Sequence, residues 1–203
     1  MSQKILIWDV PTRVFHWLLV GSFAGAYYTA DSERYRDIHV MLGYVLLGLL
    51  VFRFIWGFVG TRYAQFRSFW FSPREIFGYL KSLFKPNHKE YLGHNPAGSL
   101  AIWLLLSLGT LSGLSGVMAL HDIGGDVVVE WHDVVSELML VVVGVHVLGV
   151  IVSSVMQREN LVRAMITGYK VGTEGEGIST PYFWLALELL GVAAVFLLGY
   201  LVG

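Results

Sequence analysis

Two histidines, His132 and His146, lie 14 residues apart in a hydrophobic segment that runs from Val127 to Met156. At about 100° and 1.5 Å per residue, this spacing makes almost four helical turns and rises about 21 Å. Both imidazoles therefore face one side of a single helix that is long enough to cross a membrane. Because imidazole is a common metal ligand, the spacing predicts two sites at different depths and electron transfer across the bilayer.

The composition is that of a polytopic membrane protein. The chain has 203 residues, of which 55% are hydrophobic and 14% charged, and its mean hydropathy is +0.61. Apolar runs of about 20 residues recur, each sufficient to cross a hydrocarbon core of about 30 Å. The net charge of −1 gives no support to nucleic-acid binding. The absence of cysteine excludes thiolate-ligated clusters and covalent c-type haem, so a haem would have to be held by histidine.

Five transmembrane spans are predicted from the apolar runs. They are Arg13–Ala30, Asp37–Val59, Ala97–Leu120, Val127–Met156 and Pro181–Val202. Twelve of the 14 basic residues then lie on the side of the N-terminus. Cytoplasmic segments of membrane proteins carry the excess of Lys and Arg. The sequence therefore predicts a cytoplasmic N-terminus and an external C-terminus.

The loops carry two further predictions. Residues 72–85 favour an amphipathic helix on the inner leaflet, because a serine cap and a proline precede apolar residues at helical spacing. Residues 160–169 favour a second, shorter helix. The polar, glycine-rich segment Gly172–Gly177 is typical of a mobile linker.

Depth sorts the histidines of the spans into two pairs. Intramembrane ionisable groups are costly and usually functional. The predicted topology puts His16 at the depth of His146, near the cytoplasm, and His39 at the depth of His132, near the outside. We call these the inner pair and the outer pair. Each pair could ligate one haem iron through two imidazoles. Isolated histidines hydrogen-bonded between helices, or a histidine-lined path for metal transport, are the alternatives.

Arg53 repeats the 14-residue interval, because it follows His39 by 14 positions on the second span. It then lies at the depth of the inner pair, where a guanidinium could bind a haem propionate through two parallel hydrogen bonds. A cation that snorkels to the membrane surface is the alternative. Gly43 and Gly149, close to ligand histidines, would leave room for a flat macrocycle, and helix packing explains them equally well.

The sequence resembles the bacterial cytochrome b561 family, which overlaps with the b-type cytochrome subunits of nickel–iron hydrogenases. The resemblance covers about Ile5 to Lys170 and is carried by Trp8–Trp17, His39–Tyr44, Phe52–Gly57, Gly93–Pro96, the His132–His146 spacing and Glu159–Val162. It implies two non-covalent b haems, one between the first and fourth helices and one between the second and fourth. Carried onto this chain, that is His16 with His146 and His39 with His132.

The resemblance also implies electron transfer between the membrane quinone pool and a periplasmic redox partner, a c-type cytochrome or a hydrogenase-like subunit. Quinone reduction needs protons, and His94, which opens the third span on the cytoplasmic side, could exchange them. Arg13 lies at a similar depth. A histidine that hydrogen-bonds the start of the helix is the alternative for His94.

We therefore predict an all-α polytopic membrane bundle in the bacterial inner membrane. Residues 1–170 form a four-helix dihaem core, and residues 171–203 form a linker and a fifth transmembrane helix. The predicted function is quinone-linked electron transfer. An autonomous superoxide:quinone oxidoreductase is the first alternative, although the external face is mostly acidic, and a non-redox transporter or assembly protein is the second. The sequence does not decide whether the protein forms a homodimer.

Overall fold

The computed structural model describes residues 3–82 and 91–202, and this part of the chain is mainly helical. Its α-helices are α1 Val10–Thr29, α2 Arg36–Val59, α3 Pro73–Ser82, α4 Pro96–Leu120, α5 Gly125–Met156, α6 Leu161–Thr167 and α7 Phe183–Val202. Its strands are β1 Gln3–Leu6 and β2 Tyr169–Gly172.

Three of the described helical segments are long and apolar enough to cross a membrane. They are Glu33–Val59, Pro96–Leu120 and Gly125–Met156. The prediction of a multi-pass, mainly helical membrane protein is thereby confirmed. Helix α1 forms where the first span was expected, but Arg13 and His16 lower its hydropathy, and the apolar helix Phe183–Gly199 is shorter. Membrane crossing by α1 and α7 therefore stays a prediction, as does the orientation of the termini.

The chain divides into two compact units, each assembled from three segments. The first unit comprises Met1–Asp9, Ile55–Leu105 and Leu140–Pro181. The second unit comprises Val10–Phe54, Leu106–Met139 and Tyr182–Gly203. The predicted division at residue 170 between a dihaem core and a fifth helix stays a prediction.

A small antiparallel sheet, which the sequence did not predict, joins distant segments of the first unit. Gln3 of β1 pairs with Gly172 of β2, and Leu6 pairs with Tyr169. The amide of Ile178 donates to the carbonyl oxygen of Leu6 at 2.8 Å. Side chains from all three segments of the unit form a buried cluster beside the sheet: Ile5, Ile7, Trp8, Tyr63 and Ala164. The N-terminal segment is thus an integral part of the fold.

The segment Gly172–Gly177, expected to be a mobile linker, instead forms a turn held against this sheet. The backbone amide of Thr173 donates to a carboxylate oxygen of Glu176 at 3.0 Å. The Tyr63 hydroxyl donates to the Glu176 carbonyl at 2.8 Å. Burial raises the pKa of the Tyr63 phenol, so this donor keeps its proton at neutral pH.

A largely buried ion pair fastens β2 to the segment that follows α5. Lys170 Nζ lies 3.2 Å from Glu159 Oε2, with the two side chains 4% and 24% exposed. Lys170 also donates to the carbonyl oxygen of Tyr91 at 3.2 Å. The Val171 amide donates to the other Glu159 oxygen at 3.1 Å. Glu159 therefore satisfies both a buried ammonium and a strand amide.

Replacement of Glu159 by glutamine is expected to destabilise the first unit, because it leaves the Lys170 ammonium buried without a counter-charge. The loss should be roughly 1–3 kcal/mol, less than the roughly 3–5 kcal/mol of a fully buried pair. Thermal denaturation midpoints of the detergent-solubilised protein measure it. Adding Lys170→Met should recover part of the loss, and Glu174→Gln, at an exposed position, is the control. A midpoint for Glu159→Gln equal to that of the control would contradict this view.

Helix α3 begins as predicted and has two different faces. Ser72 donates from its backbone amide to Glu75 Oε2 at 2.8 Å, and the Glu75 amide donates to Ser72 Oγ at 3.3 Å, which is a capping box. Tyr79 is buried, whereas Phe77 is 65% exposed. Amphipathicity is therefore present over Pro73–Ser82. Residues 83–85 of the prediction, like His88, lie outside the described residues, and contact with the inner leaflet stays a prediction.

The second unit brings α1, α2 and α7 together around buried apolar side chains. Phe15, Val45 and Leu49 form the centre, and Leu189 and Leu197 of α7 pack against them. Helix α4 approaches α2 and α5 through glycines. A side chain at Gly113 would overlap Leu47 of α2, and one at Gly109 would touch Leu50 and Met139. This close approach of α2, α4 and α5 positions the outer histidine pair.

Candidate functional site

The structure brings the rings of His39 and His132 together in the second unit. His39 comes from the first turn of α2 and His132 from the first third of α5. Their ring centroids are 6.1 Å apart and their planes cross at 86°. Two imidazole nitrogens that each lie about 2.0–2.1 Å from one metal ion place the ring centroids roughly 6 Å apart. The spacing therefore suits one metal ion between the two rings.

Each of these rings is held by a backbone carbonyl. Nδ1 of His39 lies 2.8 Å from the Ala26 oxygen, and Nδ1 of His132 lies 2.9 Å from the Ser112 oxygen. Because a carbonyl only accepts, each Nδ1 must carry the hydrogen, which leaves the lone pair on Nε2. Metal-bound histidines usually donate their second N–H in this way. Both rings are thus in the tautomer that binds a metal through Nε2.

The glycines near the histidines are of two kinds. An added Cβ at Gly43, one turn after His39, would meet nothing within 4 Å, and the same holds for Gly149. At Gly113 it would overlap the side chain of Leu47. Helix packing therefore accounts for Gly113, whereas Gly43 borders open space. The residues present fit a flat group beside the outer pair.

The two members of the inner pair lie in different units. His16 is in α1, where its ring meets Trp17 edge to face at 5.0 Å. His146 is in the part of α5 that belongs to the first unit. The pairing of His16 with His146 therefore stays a prediction.

Arg53 is buried in α2, on the same unit as His39. Its exposed fraction is only 4%. A snorkelling cation would reach solvent, so this burial favours a partner inside the bundle. A haem propionate at this position stays a proposal.

His94 lies between two aromatic rings in the first unit. Its ring is 4.6 Å from that of Trp8 and 4.7 Å from that of Phe69. The start of α4 is capped by Asn95, whose Oδ1 accepts from the Gly98 amide at 2.7 Å. The capping role considered for His94 thus belongs to its neighbour. Arg13, in the first turn of α1, lies in the other unit, so a site shared with His94 stays a prediction.

Asp9 positions the N-terminal segment, a role that its local sequence does not indicate. It is fully buried and accepts from Trp56 Nε1 at 3.2 Å and from the Thr61 hydroxyl. These bonds fasten the N-terminal segment to the end of α2. They also fix the neighbouring Trp8, whose ring contacts His94. No local pattern signals this, because the partners are far apart in the chain.

Comparison with known proteins decides the family. Residues 7–168 match the sequence model of the prokaryotic cytochrome b561 family. The chain belongs to this family. The resemblance seen in the sequence is confirmed, and all the proposed site residues fall within the matched region. As a b-type cytochrome, the protein uses haem b in membrane electron transfer, which sets aside the non-redox alternative.

Relatives of this cytochrome b561 family member are cytochrome subunits. This chain is 24% identical over 221 residues to a probable Ni/Fe-hydrogenase B-type cytochrome subunit of Rhizobium leguminosarum bv. viciae. The match covers 86% of this chain and 92% of the relative. The protein of the same name from Azotobacter vinelandii is 24% identical to this chain over 217 residues. The match covers 84% of this chain and 90% of the relative. A probable Ni/Fe-hydrogenase 1 B-type cytochrome subunit of Escherichia coli K12 is 29% identical over 124 residues, 48% of this chain and 52% of the relative. No solved structure matches the chain with significance.

Proposed function

We propose that this cytochrome b561 family member binds two b haems and transfers electrons between the membrane quinone pool and a periplasmic redox partner. The observation that carries the proposal is the outer pair, in which His39 and His132 face each other at 6.1 Å with both Nδ1 atoms on carbonyls. A b haem held there would supply reversible one-electron chemistry inside the membrane.

The chain's own residues prepare this site. The carbonyls of Ala26 and Ser112 stop the two rings from rotating and keep the Nε2 lone pairs free for a metal ion. Open space at Gly43 leaves room for a macrocycle beside His39. At the predicted depth of the inner pair, the buried guanidinium of Arg53 would neutralise a propionate of the second haem. The 14-residue spacing of His132 and His146 supports a second site, with His16 as the other ligand.

We assign the quinone to the cytoplasmic side, at His94. Reduction of a quinone takes up two protons with two electrons, and imidazole exchanges protons near neutral pH. Trp8 and Phe69, which flank His94, would contact a flat headgroup. Arg13 would add a hydrogen-bond donor to this site.

The relatives favour a hydrogenase-type subunit as the redox partner, because they are named as hydrogenase cytochrome subunits. A c-type cytochrome is the second candidate. The exposed carboxylates Asp122, Asp126 and Glu130 lie on the predicted external side and would suit a basic partner surface.

Absorption spectroscopy and quinol reduction test this function. Purified protein should show a b-type α-band after dithionite and contain about two haems per chain, given four axial histidines. A quinol analogue should reduce it. His94→Gln should slow that reduction by roughly 10²-fold, as expected for loss of a proton-transfer group, without changing haem content. His121→Gln, an exposed histidine, is the matched control. A folded colourless protein would refute the proposal, and a normal quinol rate in His94→Gln would refute the assigned quinone site.

A further inference from the structure

Helix α4 provides no ligand to the outer pair, yet its C-terminal half contacts His132 at several atoms. We propose that this part of α4 orients His132 for metal binding and that Gly116 is the positioning residue of the outer haem. The proposal rests on the proposed function, since it requires a haem between His39 and His132.

The first contact is the hydrogen bond that sets the tautomer of His132. The Ser112 carbonyl accepts from His132 Nδ1 at 2.9 Å and from the Ser115 hydroxyl at 3.0 Å. Ser115 Oγ also lies 3.3 Å from His132 Nδ1. The shorter of the two hydrogen-bond distances from Nδ1 of His132 is therefore to the main chain of α4.

The second contact fixes α4 against α5 beside the ligand. Ser112 Oγ and Ser136 Oγ are 2.7 Å apart, and Ser136 lies one turn beyond His132. This bond keeps the Ser112 carbonyl level with the imidazole. Helix α4, which supplies no ligand to the outer pair, thus holds α5 next to His132.

The third contact explains the glycine. A Cβ at position 116 would lie 2.9 Å from Cε1 of His132 and 3.2 Å from Nδ1. Cε1 lies between the two ring nitrogens. A Cβ that displaces Cε1 therefore moves Nε2, and it also weakens the hydrogen bond from Nδ1 to the Ser112 carbonyl. A donated Nδ1–H makes Nε2 a stronger ligand. Loss of that bond would therefore raise the reduction potential of the bound haem or release it.

The alternative is that Gly116 serves only the packing of α4 against its neighbours, and Gly109 allows this to be tested. Gly109 lies on the same helix and also meets α2 and α5. There an added Cβ would touch Leu50 Cδ1 at 3.3 Å and Met139 Cε at 3.5 Å. These atoms end flexible side chains, which can move aside. If both glycines served helix packing alone, alanine at either position would leave the potential of the outer haem unchanged.

Redox titration followed by absorption spectroscopy separates these views, with Gly109→Ala as the matched control for Gly116→Ala. We expect Gly109→Ala to keep both haem transitions of the wild type. Gly116→Ala should shift the outer transition to higher potential or remove it, and leave the inner one unchanged. The outer transition is the one that disappears in His39→Ala. Equal behaviour of the two glycine variants would overturn the proposal.

Electron paramagnetic resonance of the unmodified protein gives a test that needs no variant. The rings of His39 and His132 cross at 86°. Near-perpendicular axial imidazoles give a low-spin ferric signal of strong anisotropy, and the signal missing from His39→Ala should be of this type. A signal typical of parallel rings would overturn the positioning by α4. If His39→Ala instead retains all of its haem, the proposed function itself fails.

Discussion

Replacement of His132 by alanine is expected to leave about half of the haem of the unmodified protein, because one of two bis-histidine sites loses a ligand. His39→Ala should have the same effect, since its ring faces that of His132 at 6.1 Å. The pyridine haemochrome assay on purified protein measures the ratio of haem to chain. The double variant should lose no more haem than either single variant, because both residues serve one site.

His121→Ala is the control for this result. His121 is exposed and lies in the turn that follows α4, so it should keep all of its haem. Equal haem loss in His121→Ala would show that any histidine replacement there destabilises binding. Further loss in the double variant would show that His39 and His132 serve different sites.

Alanine at both His132 and His146 is expected to abolish haem binding and electron transfer, since each proposed site loses one ligand. In proteoliposomes, electron flow from an added quinol to an acceptor outside the vesicle should fall to the rate of empty vesicles. Alanine at both His16 and His146 should instead retain the outer haem, with about half of the haem content. The two double variants remove the same number of histidines, so a difference in their haem content shows which histidines share a site.

The opposite pattern would refute the pairing by depth. If the His16 and His146 double variant were colourless while each single variant kept one haem, these histidines would belong to different sites. Each double variant should be compared at matched yield, with α-helical content checked by circular dichroism.

Local patterns sufficed to predict the helices. Ser72 and Pro73 marked the start of α3 by their own capping chemistry, and α2, α4 and α5 begin within two residues of the predicted spans. The pairing of His39 with His132 was predicted from the depth that the predicted topology gives to each histidine. The start of a helix and the depth of a residue within its span both depend on residues close in the chain, whose spacing is visible in the sequence.

Contacts between distant segments are not visible in local sequence patterns. Strands of four residues are too short to show an alternating pattern, so β1 and β2 gave no signal. The burial of Asp9 depends on Trp56 and Thr61, which reach it only in the folded chain. The role of Gly116 likewise depends on a ring from another helix, whereas its sequence context equally suits helix packing.

The sheet in the first unit has a consequence for biogenesis. Strand β1 is translated before α1 to α6, and its partner β2 follows α6, so the two strands cannot pair until all of these helices have been made. Trp8 and Asp9 lie within three residues of the end of β1, and Trp8 contacts His94. The surroundings of His94 are thus completed late in synthesis, after the helices α1 to α5 have been translated. A chain that stops before residue 169 would carry the four proposed ligand histidines and still lack the strand that completes the sheet.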